Sequence, residues 1–413
     1  MSEEAHRPAA PASATGTQPR EMTESPPGLD YNALCIDTNI FHETGYAFDK
    51  GLLAQLDQFA ESSMQVVISE IVDREMRRHL IERIREARDS LEKGLKKVQQ
   101  ELQVSEGSAN RARKAIFTGA PDEEIAQRRL DEFYERCDAI VVPADSASGR
   151  EVLDRYLRHE PPFEATGDKK TEFPDAYALL SVEKWAQDHG SKVLVVSKDQ
   201  GWKAFCEELE CLVHRAELGS ALKLCQPHNA APRLMADLND RLLDEVDEYG
   251  VQGTITEGIK EGVEAMEVDV TANSYYYWEA SDIYAEYKSH KFQRLTDKLV
   301  DIDLVRVTEH DLTVRLSATI VCGVHANFGL SIVDPIDKDQ VSMGTQSQTV
   351  EADFDSDVLV TFEGDFGQGL AGVSVKGVEL VDHMATVDFG EIEMEWGRDD
   401  YSEEDDVAVD GDE

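Results

Sequence analysis

Bounded, largely apolar runs alternate with amphipathic stretches over the first 225 residues, and a different pattern follows. Ala33 to Ile36, Gln65 to Ile68, Cys137 to Val142 and Lys192 to Ser197 have the length and character of buried parallel strands. Between them apolar residues recur at helical spacing. Leu52, Leu53, Leu56, Phe59 and Ala60 do so within 41–60, and Ile71, Val72, Met76 and Leu80 follow a suitable N-cap at Ser69. Leu179, Val182 and Ala186 share a face in a segment that opens at Pro174 and stops at Gly190. The helical pattern also runs from Arg74 to Gln103 and from Pro121 to Arg136, which predicts a helical hairpin inserted between strands.

Beyond a linker near Gln226 to Asn229 and an acidic helix from Leu234 to Tyr249, period-two alternation takes over. It is clearest at 299–307 and 312–322, joined by a turn at Thr308 to Asp311, with further strands near 357–362, 373–380 and 385–394. The expected organisation is a disordered leader (1–30), an α/β domain (31–225) with a helical insertion at about 74–136, a linker and acidic helix (226–254), an antiparallel β or α+β domain (255–397) and an acidic tail (398–413). Tyr275, Tyr276, Tyr277 and Trp278, with Tyr284 and Tyr287, could stack bases, but the surrounding Glu279, Asp282 and Glu286 favour packed strand aromatics.

Two of the strands deliver a carboxylate at their carboxyl ends. Asp37 follows the first, with Thr38 and Asn39, and Asp199 follows the last, behind Ser197 and Lys198. Sites in open α/β sheets lie beyond those ends. Asp175 sits in a first helical turn, and Glu75 falls on the buried face of its helix, with Glu70 and Asp73 outside that face or at its edge. Each acid also has a plain structural explanation, as a cap or as the partner of an internal Arg. Four acids opening on one sheet edge need a counter-charge, and a hard divalent cation supplies one.

Charge complicates a nucleic-acid partner. The chain carries a net −43, but residues 231–413 hold 12 Lys+Arg and 43 Asp+Glu, a net −31, which leaves −12 for residues 1–230. The basic residues of the first part cluster on the hairpin helix (Arg74, Arg77, Arg78 and onward) and in a loop at Lys169 and Lys170. Those residues suit phosphates, although Glu82, Glu86 and Glu92 equally suit an ion-paired, solvated face. Six scattered cysteines without a CxxC pair read as buried thiols, and no apolar run approaches a membrane span, so a cytoplasmic protein is expected.

The sequences Cys35-Ile36-Asp37-Thr38-Asn39, Val67 to Glu75, Phe173-Pro174-Asp175-Ala176 and Val195-Val196-Ser197-Lys198-Asp199 together resemble the PIN-domain nucleases, over about residues 31–225. The resemblance implies a parallel sheet flanked by helices and a ribonuclease dependent on Mg²⁺ or Mn²⁺. It places the family's acids on Asp37, Glu75, Asp175 and Asp199, and its Asn and Ser/Thr on Asn39 and Ser197. The long hairpin resembles a larger PIN-like subgroup with an added C-terminal domain.

Two functions follow as expectations. One is a metal-dependent endoribonuclease, with RNA entering along Arg74, Arg77, Arg78, Lys169 and Lys170. The other is a catalytically silent PIN-like scaffold or regulatory protein, whose acidic C-terminal half binds a basic partner or a second copy.

Overall fold

A computed structural model describes residues 31–393 apart from 61, 117–118, 164–172, 227–230, 244–248 and 334–338. The leader, the acidic tail and the Lys169–Lys170 loop lie outside the described residues. Five strands, β1 (Ala33–Ile36), β2 (Gln65–Ser69), β3 (Ile140–Val142), β4 (Val193–Val196) and β5 (Leu212–Arg215), form one parallel sheet in the order β3-β2-β1-β4-β5. Every residue of β1, β2 and β4 is buried, which requires cover on both faces of the sheet.

The helices of this region are α1 (Thr38–Glu43), α2 (Gly51–Ala54), α3 (Glu70–Glu101), α4 (Glu106–Ile116), α5 (Asp122–Cys137), α6 (Gly149–Arg158), α7 (Phe173–Asp188), α8 (Gln200–Glu207) and α9 (Leu218–Leu224), of which α3, α7, α8 and α9 lie against the strands. The strand order reverses between β1 and β4, so the crevice of this doubly wound sheet opens beyond the carboxyl ends of those two strands. Ser69 caps α3 by accepting from the Ile71 amide at 3.3 Å. With 32 residues α3 is about 48 Å long. It pairs antiparallel with α5 through Arg85 and Arg88, which meet Asp122 and Glu123. This is the expected hairpin.

Two local expectations change. Cys137 ends α5 instead of opening a strand: its thiol donates to the Phe133 carbonyl at 3.1 Å, and the left-handed Asp138 (φ 49°) turns the chain into a strand of only three residues. Asp73, expected outside the buried face of α3 or at its edge, is only 8% exposed. It tolerates burial because Arg77 donates to it at 3.1 Å and the Tyr134 hydroxyl at 2.8 Å.

After α10 (Pro232–Leu243) and α11 (Val251–Glu264) the strands are β6 (Asp269–Asn273), β7 (Tyr277–Phe292), β8 (Arg294–Thr296), β9 (Leu299–Val300), β10 (Ile302–Val307), β11 (Asp311–Val333), β12 (Gln340–Gly364), β13 (Val373–Leu380) and β14 (Thr386–Glu391). The described chain forms two compact units interleaved in sequence. The first takes residues through Tyr249 with 301–316 and 359–377; the second takes 250–300, 317–358 and the residues from 378.

Within the first unit the β10–β11 hairpin is tied to the α/β layer. Arg315 pairs with Asp303 at 2.6 Å, Lys223 of α9 meets the same carboxylate at 2.5 Å, and Gln58 and Gln226 both donate to the Val305 carbonyl at 2.9 Å. Within the second unit β7 pairs antiparallel with β11 from Ala318–Phe292 to Ser331–Tyr277, and β6 pairs with β14. The second half is thus an antiparallel-sheet domain with a helix. That helix, α11, stands where the β-rich domain was expected to begin. Ile255, Ile259 and Val263 give its buried face, while Gly258 and Gly262 interrupt the apolar pattern. A Cβ at Gly258 would fall 2.4 Å from Val378, which is why the position is glycine. The aromatic run divides: Trp278 packs edge-to-face on Phe328, whereas Tyr275 is 94% exposed and Tyr277 62%. Within β7 alternation turns Tyr277 and Trp278 to opposite faces, and Tyr275 precedes the strand.

Candidate active site

The crevice at the ends of β1 and β4 is held by one serine hydroxyl. Asp37 follows β1, and its amide donates to the Val196 carbonyl at 2.9 Å, which fixes the two strand ends side by side. Ser197 Oγ donates to Asp37 Oδ2 at 2.6 Å and accepts from Asn39 Nδ2 at 3.2 Å and from the Asp199 amide at 3.0 Å. One donor and two lone pairs are all used. His214 Nε2 lies 2.6 Å from the Ser197 carbonyl and holds the backbone on the other side.

The remaining acids join this hub through other groups. Thr38 Oγ1 donates to Glu75 Oε2 at 2.7 Å, bringing α3 to the strand end. Asp199 caps α8, accepting from the Gly201 and Trp202 amides at 2.6 and 3.1 Å. The buried Trp202 indole then donates to Asp175 Oδ1 at 3.0 Å. Gly201 has to be glycine: a Cβ there would sit 2.8 Å from the Pro162 carbonyl oxygen and 3.0 Å from Asp199 Oδ1.

Burial raises the Asp37 carboxyl to about 7; the Ser197 hydrogen bond opposes the rise, and the neighbouring charges of Asp175 and Glu75 add to it. The structure therefore brings Asp37, Glu75, Asp175 and Asp199 together with Asn39 and Ser197. Of the other acids at the start of α3, Glu70 accepts from the Ala144 amide at 2.8 Å and pairs with Arg74, which hold its carboxyl below the usual range. Asp73 faces Arg77 and Tyr134. Glu75 alone of the three meets Thr38.

Residues 34–202 match the PIN-domain family. This segment is a PIN domain. No curated protein and no solved structure matches the chain. PIN domains are generally nucleases that bind nucleic acid and use divalent metals. The carboxylates gathered here offer oxygen donors, the kind that hard divalent cations take. Among the described residues, no three His, Cys, Asp or Glu side chains close around one ion position. The Thr38, Ser197 and α8 bonds instead take up carboxylate oxygens from within the fold.

Thr38 and Trp202 were missed as site residues. The Thr stood in the Asp-Thr-Asn triplet without a role, and the Trp is legible only once Asp199 is recognised as a cap, since the indole then sits in the first turn of α8. Arg74 and Arg77 of the expected nucleic-acid path are paired with Glu70 and Asp73 on their own helix, while Arg78 has its guanidinium 3.3 Å from His79. The cysteines are free thiols, five of them buried. No helix among the described residues is long and apolar enough to cross a membrane.

Proposed function

We propose that this PIN domain is a Mg²⁺- or Mn²⁺-dependent endoribonuclease acting at the crevice between β1 and β4. The observation that supports it is the carboxyl of Asp37, buried and raised to about 7 beside Glu75 and Asp175. A fold whose acids served only as caps has no reason to crowd them.

Asp37, Glu75, Asp175 and Asp199 would hold the metal, which supplies activated water and neutralises charge developing on the phosphate. Ser197 fixes the Asp37 carboxylate and favours its ionised form by donating to its Oδ2. Asn39 orients Ser197 and takes the Lys198 amide, so it steadies the β4 end. Thr38 fixes Glu75, and Trp202 fixes Asp175, each by one hydrogen bond to one oxygen.

The test is cleavage of single-stranded RNA in Mn²⁺ by the full chain and by Asp37→Asn combined with Asp199→Asn. Loss of cleavage by a hundredfold or more is expected; wild-type rates in the variant would assign the activity elsewhere. The silent scaffold is favoured by one observation, that the described donors do not close around an ion. It requires no rise in melting temperature at millimolar Mn²⁺, whereas a metal bound only by the folded protein raises it.

A further inference from the structure

Helices α1 and α3 meet at two successive levels. The first is Thr38 with Glu75. The second, four residues further along both helices, is His42 with His79, whose ring centroids lie 5.8 Å apart at 79°. Four helical residues rise about 6 Å, so the imidazole pair stands one turn away from the acid cluster.

Tyr46 lies beneath this pair, its ring centroid 6.2 Å from His42 and 6.3 Å from His79. Its backbone is left-handed (φ 59°), which a bulky residue rarely adopts, and this turn is what carries the ring inward. The phenol is 0% exposed, yet its oxygen has no hydrogen-bond partner among the described residues. Buried hydroxyls ordinarily have one. Burial pushes this phenol up to about 12, with Glu75 adding to the rise and Arg83 and Arg78 opposing it, so it stays protonated and able to donate.

The arginines of α3 divide in the same place. Arg74, Arg77, Arg85 and Arg88 all pair with carboxylates. Arg78 and Arg83 make no carboxylate pair among the described residues. Arg78 lies against His79, and Arg83 covers the Tyr46 ring at 5.9 Å. Glu82 is the acid facing the group, 3.4 Å from His79 Nδ1, with Glu75 one turn back.

Building on the nuclease reading above, we propose that His42, Tyr46, His79, Arg78 and Arg83 form a subsite for a backbone phosphate of single-stranded RNA, next to the phosphate that is cleaved. The imidazoles supply hydrogen-bond donors at the surface, and the guanidiniums supply donors and positive charge. Movement of the long, exposed Arg83 uncovers the phenol, whose hydrogen bond is then made to a phosphate oxygen. The strand is thereby held in register across the α1–α3 groove.

The experiment measures binding of a short fluorescent single-stranded RNA to the full chain in EDTA, over a series of salt concentrations, together with cleavage in Mn²⁺. Tyr46→Phe, His42→Ala with His79→Ala, and Arg83→Gln are compared with Lys260→Ala, an exposed site in the other unit. Affinity is expected to fall about tenfold in the histidine pair and severalfold in the other two. For Arg83→Gln the slope of log affinity against log salt shrinks by about 0.7 for each phosphate that the variant no longer neutralises. Tyr46→Phe should melt at the wild-type temperature or above it, since its hydroxyl has no partner among the described residues, so reduced binding there is not a folding defect. Lys260→Ala binds as wild type. Wild-type affinity and salt slope in all three subsite variants would overturn the subsite while leaving the nuclease reading in place. A wild-type protein that neither binds nor cuts RNA would overturn both.

Discussion

The Ser197 hydroxyl donates to Asp37 Oδ2 across 2.6 Å, joining residues 160 positions apart at the two strand ends where the sheet reverses. Replacing Ser197 with Ala removes this bond and the acceptor used by Asn39 and the Asp199 amide. Asp37 then loses the main influence that lowers its pKa. The pH–rate profile in Mn²⁺ should shift to higher pH, with activity at pH 7 down by at least tenfold. Restoration by Ser197→Thr would tie the effect to the hydroxyl.

Asp37 also makes metal-free stability depend on pH. Its carboxyl is raised from 3.8 to about 7 in the fold, so the folded state binds the extra proton between those values. Stability contributed by the protonated acid is present below about pH 4 and is lost as pH rises through 7, at most about 4 kcal/mol. Urea unfolding in EDTA at pH 5 and pH 8 should show wild type losing more stability than Asp37→Asn across that range. Equal losses would mean that Asp37 ionises without penalty.

Glu75 and Asp73 should separate cleanly. Asp73→Asn weakens its bonds with Arg77 and Tyr134 and is expected to cost about 1–3 kcal/mol while leaving the Mn²⁺-induced rise in melting temperature. Glu75→Gln should do the reverse, melting near wild type without metal and losing most of that rise. Thermal melts with and without Mn²⁺ decide it, and the opposite pattern would move the metal role to Asp73.

Gly201→Ala places a methyl 2.8 Å from the Pro162 carbonyl oxygen, a backbone atom that cannot step aside alone. A cost of about 1–3 kcal/mol follows from such overpacking. The displaced start of α8 carries Asp199 with it, so cleavage should fall along with the melting temperature. A variant that melts and cuts as wild type would show that this turn yields freely.

The parallel sheet and its acids were legible because the information is local. Four apolar runs bounded by polar residues fix four strands, and a strand end fixes where Asp37 and Ser197 emerge. What the sequence hid depends on partners remote in the chain. Asp73 looks like a surface residue until Tyr134 arrives on α5, and Trp202 looks like core until Asp175 meets its indole. Helix α11 escaped because Gly253, Gly258 and Gly262 blur a period that Ile255, Ile259 and Val263 otherwise keep. The basic face of α3 divided between the two readings residue by residue, since pairing depends on single turns of a helix.

The hairpin staple formed by Arg315, Asp303 and Lys223 bears on synthesis. Domains generally fold from the N-terminal end as the chain emerges, yet this unit draws on residues 301–316 and 359–377. The β10–β11 hairpin must reach back across more than seventy residues to α9, and a nascent chain that ends before Gly377 lacks part of the unit. A ribosome that has synthesised the chain only as far as α9 would therefore carry this unit incomplete, without the hairpin that Lys223, Gln58 and Gln226 bond.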